Sequence, residues 1–234
     1  MSVEFSPNTH ILIAINGVDL FQLGNDTQLK IMNKINEGYY RNNSKFKLME
    51  GQRIIDLPSF SYAMGFNSNP DKCVFYIFLE KNKSFYNNMI KNPDLKKEVF
   101  LNYEIFFVNK DNEEFMQLKE NDIKGTVGFK PHHSYPDGKT IEPTCFTTFI
   151  PKLGSFLLPF LEKHFAKLFN VEQYIVEIII EHNLYDYYTK YHNYVEIKRY
   201  VVPIDYDPEV TGLEKGIILN RPMTMSVMKK IIKC

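Results

Sequence analysis

The chain has 234 residues, with 28 Lys plus Arg balanced by 28 Asp plus Glu, 44% hydrophobic and 15% aromatic residues, and no Trp. That length suits one large domain or two small ones, and the apolar share can bury a core. Neutral charge argues against a dedicated nucleic-acid binder, which needs a basic stripe for phosphates, and the longest apolar runs, ILIAI and VFYIF, fall far short of the roughly twenty residues that cross a bilayer.

Cys73, Cys145 and Cys234 are widely separated and odd in number. Without a C-x-x-C pair they form neither a cysteine zinc site nor a disulfide framework, which fits a reducing compartment. The opening MSVEFSPNTH has no basic start followed by an apolar stretch, so no secretory signal is expected there. A soluble, cytoplasmic protein without membrane insertion is the expectation. Abundant Asn, Lys, Ile, Tyr and Phe point to an AT-rich genome, such as that of a virus, a protist or some bacteria.

In chain order, the apolar runs of THILIAINGVDLFQLG flank Asn16-Gly17, a hairpin signal. Asp26 or Thr27 can cap a helix on which Leu29, Met32, Ile35 and Tyr39 share one face. Residues 60–66 and 73–80 read as strands joined by NSNPDK. A short helix follows, ended by Pro93, then a strand at 102–110. Residues 111–151, with prolines at 131, 136 and 143, read as including a long loop. Residues 155–169 read as a helix with Pro159 in its first turn. The β-branched stretches 172–182 and 194–203 read as an antiparallel strand pair. The end, RPMTMSVMKKIIKC, reads as a helix begun by Pro222, with lysines suiting its negative end. The expectation is one α+β domain over 1–234, with a mostly antiparallel sheet, interspersed helices and a possible subdivision near 151.

Three stretches carry chemistry. KPHHSYPDGKT matches the end of a phosphate loop at Gly138-Lys139-Thr140, but the required first glycine falls on His133 and Pro143 breaks the helix that must follow. A divalent metal held by His132, His133 and Asp137 is the alternative, against an ordinary YPDG turn. In NPDKCVFYIFLEKNK, Asp71, Glu80 and Lys81 loosely resemble metal-dependent nucleases that carry an acid before a strand and an acid and lysine at its end. The departure is Asn82, where that motif wants lysine.

The third stretch is HNLYDYYTKYHNY, which places Tyr185, Tyr187, Tyr188, Tyr191 and Tyr194 in one connection. Five buried hydroxyls would be hard to satisfy, so an exposed recognition surface is expected at this hairpin. His182 and His192 bracket it and can approach each other across it as a pH switch or metal site. The expected function is a non-catalytic protein working through a protein partner or self-association, in assembly, with no cofactor. The competing expectation is a metal-dependent hydrolase or nuclease.

Overall fold

A computed structural model describes residues 5–66, 69–81, 83–135, 138–211, 213 and 216–232. Eleven strands occur among them: β1 (His10–Asn16), β2 (Met49–Gly51), β3 (Val74–Glu80), β4 (Lys96–Phe100), β5 (Tyr103–Val108), β6 (Ile123–Pro131), β7 (Thr140–Thr148), β8 (Gln173–Ile179), β9 (Val195–Val202), β10 (Ile217–Leu219) and β11 (Met223–Ile231). The principal helices are α1 (Gly17–Leu20), α2 (Asn25–Phe46), α3 (Leu57–Met64), α4 (Lys83–Lys91), α5 (Glu113–Met116) and α6 (Leu153–Leu168).

Nine strands form one sheet in the order β4-β5-β1-β3-β6-β7-β8-β11-β9. The sheet is mixed, which corrects the expectation of a mostly antiparallel one: β1 runs parallel to β5, and β7 runs parallel to β8. Parallel neighbours need a crossover, and α6 supplies it between β7 and β8. Strands from before and after residue 151 share this sheet.

The two faces are covered differently. Ile11, Ile13, Ile15, Phe75 and Ile77 pack with α2 and α3 through Ile31, Ile35, Phe60 and Met64. Leu12, Tyr76, Phe129, Ile141, Tyr174 and Val176 pack on the other face with α6 through Leu157, Leu161 and Phe165. The alternation follows from the two-residue period of a strand. On α6, Leu153, Leu157, Leu161 and Phe165 recur every four residues, which places them on one buried stripe.

Several elements differ from the sequence expectation. Asn16-Gly17 does not turn a hairpin: Asn16 caps α1, its Oδ1 accepting from the Asp19 amide at 2.7 Å. Gly17 is required by a close approach, since a Cβ there would lie 2.7 Å from the Pro70 carbonyl oxygen. Residues 57–64 are helical, begun by Asp56, whose Oδ1 accepts from the Ser59 amide at 2.7 Å. Residues 123–131 and 140–148 are strands, within the stretch expected to include a long loop. Pro159 is the seventh residue of α6 and lies beyond its first turn. The chain end is strand β11, and it lies between β8 and β9, which therefore do not pair with each other.

Candidate functional site

β7 and β8 pair only at Thr140–Gln173 and Ile141–Tyr174, then separate. Two features of β7 accompany the separation. Pro143, which has no amide to give a neighbour, falls just beyond the last pair. Further along, Val127 of β6 faces both Cys145 and Phe146, because the register shifts between Thr126 and Gly128. Such a bulge bends the strand that carries the extra residue. Cys145 sits at φ +48°, a left-handed conformation unusual for a side chain with a Cβ. Strain of this kind is often kept at functional sites.

The chain leaves β7 through Lys152, also left-handed at φ +66°, and enters α6 with no side-chain cap on its first turn. Lys152, Gly154 and Ser155 line a cleft of about 1850 Å³ that the parting strands open. The Leu153 and Ser155 amides are taken by the Ile150 and Lys152 carbonyls at 3.1 and 3.2 Å, so the attraction of this helix start for anions rests on the Gly154 amide, the helix dipole and the Lys152 ammonium. Crevices at the carboxyl ends of parallel strands are the usual ligand sites of open sheets.

On the α2 side of the sheet, Glu142 and Glu177 line the same cleft. Burial raises the Glu177 carboxyl above its ordinary range, although Tyr200 Oη donates to it at 3.0 Å. Glu142 is held by Lys130 at 3.3 Å. Arg53 donates to Thr144 Oγ1 at 3.0 Å and lies over the Tyr39 ring.

The tyrosine stretch lies at the other side of the opening. It is not a wet hairpin tip. Tyr188 and Tyr194 are buried, Tyr185 and Tyr187 are half-buried, and Tyr191 is 71% exposed. A π-helical turn, Tyr187–Tyr191, sets their directions, and such turns are frequent at functional sites. Tyr194 Oη donates to the buried Glu162 carboxylate at 2.5 Å, and Lys230 pairs with the same group. Tyr187 Oη is buried without a hydrogen-bond partner among the described residues. It reaches the start of α6: a Cβ on Gly154 would lie 2.9 Å from it. Burial raises the Tyr187 phenol well above its usual value, so it stays protonated. His182 contacts Phe46 and His192 contacts Tyr187, so these two histidines have separate neighbours rather than forming a cross-hairpin pair.

The residues expected to bind metal are divided. Asp137 lies outside the described residues. His132, His133 and Glu142 bring ligand atoms within 4.8 Å of one another. The two imidazoles stack at 4.5 Å and 23°, so their in-plane lone pairs run side by side instead of converging. His132 Nδ1 already accepts from the Ser134 amide at 3.2 Å. Asp71 and Glu80 stand before and at the end of β3, with the whole length of the strand, roughly 20 Å, between them. Glu80 pairs with Lys124 at 3.0 Å and Lys81 with Glu104 at 3.1 Å, so the structure does not gather this nuclease-like set.

Sequence reasoning missed Glu142, Glu177, Tyr200, Lys152 and the bulge at Cys145. A signal existed for the last two. A threonine-rich alternating stretch, TIEPTCFTT, ends shortly before an apolar helix, which is the outline of a strand-to-helix crossover.

Among the described residues, no helix is long and apolar enough to cross a membrane. The fold is similar to that of solved acetyltransferases. Spermidine N-acetyltransferase from Vibrio cholerae, solved in complex with CoA and spermine, superposes with a TM-score of 0.51 at 10% identity, covering 96% of each chain. A candidate phosphinothricin N-acetyltransferase gives 0.50 at 10% identity, covering 97% of this chain and all of the other. In sequence, the chain is 25% identical over 180 residues to Sporulation protein RMD6 of Saccharomyces cerevisiae, covering 76% of each. The family model described as Sporulation protein RMD6 matches residues 1–232, and the chain belongs to that family.

Proposed function

We propose that the cleft binds an acyl-CoA and that the protein transfers the acyl group to an amine. The observation that carries this reading is the opening between β7 and β8, with the positive end of α6 and Lys152 at the same end. The residues present fit the cofactor. The Gly154 amide, the positive end of the α6 dipole and the Lys152 ammonium attract phosphates. The bulge at Cys145 and Phe146 frees backbone from the β6 ladder beside the gap.

Bound there, the cofactor would supply an acyl carbon activated by its thioester. The chain's own residues supply the proton handling. Glu177, with its raised pKa, lines the α2 side, where it would take the proton from the acceptor's ammonium so that the free amine attacks. Tyr187 keeps its proton, and its unpartnered hydroxyl beside Gly154 is placed to donate it to the departing sulfur.

The partner-binding expectation from the tyrosine stretch is less well supported. Tyr188 and Tyr194 are core residues, Tyr185 and Tyr187 are half-buried, and Tyr191 is the exposed ring of the stretch. Calorimetric titration with CoA tests the proposal. Saturable binding that Lys152→Glu weakens is expected. A Kd above about 1 mM for the unaltered protein would rule it out.

A further inference from the structure

The acyl-transfer reading leaves the acceptor open, and the charges around the cleft constrain it. The chain as a whole is neutral, with 28 cationic and 28 acidic residues. The cleft lining is not. On the α2 side it carries Arg41, Lys45, Arg53, Lys130 and Lys198, against Glu142 and Glu177 among the described residues. The placement follows from the fold. Arg41 and Lys45 are on α2, which packs against that face. Lys198 and Glu177 both stand opposite Val227 in the sheet register, so they share a face. Lys130 follows Phe129, which belongs to the α6-side core, and therefore projects to the α2 side.

The phosphates of a CoA have their own provision at Lys152 and the start of α6. The cations on the α2 face are in addition to that. Two of them are firmly placed. Arg53 is fixed by its bond to Thr144 Oγ1 and its seat over Tyr39, and the Lys130 side chain is 16% exposed. A polycationic amine brought to this face would meet a like-signed field. An amine that also carries an anionic group would be attracted, and a planar guanidinium is suited to grip a phosphate or carboxylate.

We propose that the acceptor of this protein is an amine bearing a phosphate or carboxylate, with Arg53 binding the anionic group and Lys198, three strands away on β9, adding to the attracting field. The inference rests on the acyl-transfer reading. The experiment measures thiol release from acetyl-CoA with phosphoethanolamine, aspartate or spermidine as acceptor, alongside calorimetric binding of CoA alone. At least one of the two anionic amines is expected to be used with a kcat/KM about tenfold or more above spermidine, and phosphoethanolamine against aspartate separates phosphate from carboxylate. Arg53→Gln should raise the KM for the anionic amine about tenfold, the usual scale for one charge-assisted contact, and the exposed Lys198→Gln by a smaller factor that shrinks with added salt, with CoA affinity unchanged. Failure to bind CoA at all would defeat the acyl-transfer reading itself. CoA binding with spermidine preferred, with neither anionic amine used, or with KM unmoved by both substitutions would overturn the anionic acceptor.

Discussion

Tyr187 Oη stands 2.9 Å from where a Cβ would sit on Gly154, so glycine at the second residue of α6 makes room for the tyrosine hydroxyl. The relationship joins two segments that the sequence keeps more than thirty residues apart. It also supplies a test. Gly154→Ala should push against Tyr187 and against Phe146, whose Cζ would be 3.3 Å from the new methyl. CoA affinity should fall by about tenfold, and adding Tyr187→Phe should restore much of it by removing the oxygen. Titration of the two single variants and the double variant forms a thermodynamic cycle. Additive losses would mean that the two residues do not meet in the bound state.

Tyr187→Phe alone separates a chemical role from a structural one. The buried hydroxyl has no partner among the described residues, so its removal takes away a desolvated polar group and should leave the melting temperature unchanged or slightly higher. If the hydroxyl protonates the departing sulfur, kcat should drop by about a hundredfold, within the usual range for a general acid, while CoA binding holds. A fall in stability of several degrees with unchanged kcat would place the residue in the scaffold only.

Much of the scaffold was legible in the sequence, and the misreadings have identifiable causes. Strand β3, helices α2, α4 and α6, and strands β5, β8 and β9 coincide closely with their periodic apolar patterns. β11 was misread although MTMSV alternates as a strand should. The alternation breaks at a bulge between Val227 and Met228, and Met223, Met225 and Met228 are buried on either side of it. In MTMSVMKKII a register shift imitates helical spacing. The place of β11 in the sheet was hidden for a different reason. Nothing local in β8 or β9 says that a strand from the chain end will be inserted between them, because β11 follows β9 only after residues 203–222 and follows β8 after a longer stretch still. The cleft was hidden likewise, since Glu142 and Glu177 meet only through the β7–β8 crossover.

The tyrosine stretch gives a stability prediction opposite to the one its composition invites. Tyr188 is 7% exposed and Tyr194 is 2% exposed, and both belong to the α6-side core. Replacing either with Ala should cost about 3–5 kcal/mol, as deletion of a buried aromatic does. Tyr191→Ala, at 71% exposure, should cost less than about 0.5 kcal/mol. Denaturant unfolding of the three variants decides it. A Tyr188→Ala variant as stable as Tyr191→Ala would return the stretch to the surface.

Acid should destabilise the fold, and His192 sets the window. The residue is 1% exposed, neither ring nitrogen has a partner among the described residues, and burial, helped by the Lys230 charge, pushes its pKa down from 6.5 to about 4. Burial also lowers His132, His164 and His182. A depressed folded pKa means that the unfolded chain takes up the proton first. The contribution to stability is complete above pH 6.5 and is lost as pH falls through the interval down to about 4. Glu162 and Glu177, both raised by burial, act with the opposite sign and offset part of the loss. Where His192 alone titrates, the slope approaches about 1.4 kcal/mol per pH unit. His192→Phe removes the titrating group while keeping a ring against Tyr187, whose centroid lies 4.4 Å away. Unfolding free energies measured at pH 7, 6, 5 and 4 should therefore fall less steeply for His192→Phe than for the unaltered protein. Parallel curves for the two would mean that the histidine takes up its proton as readily folded as unfolded, and that other groups cause the acid sensitivity.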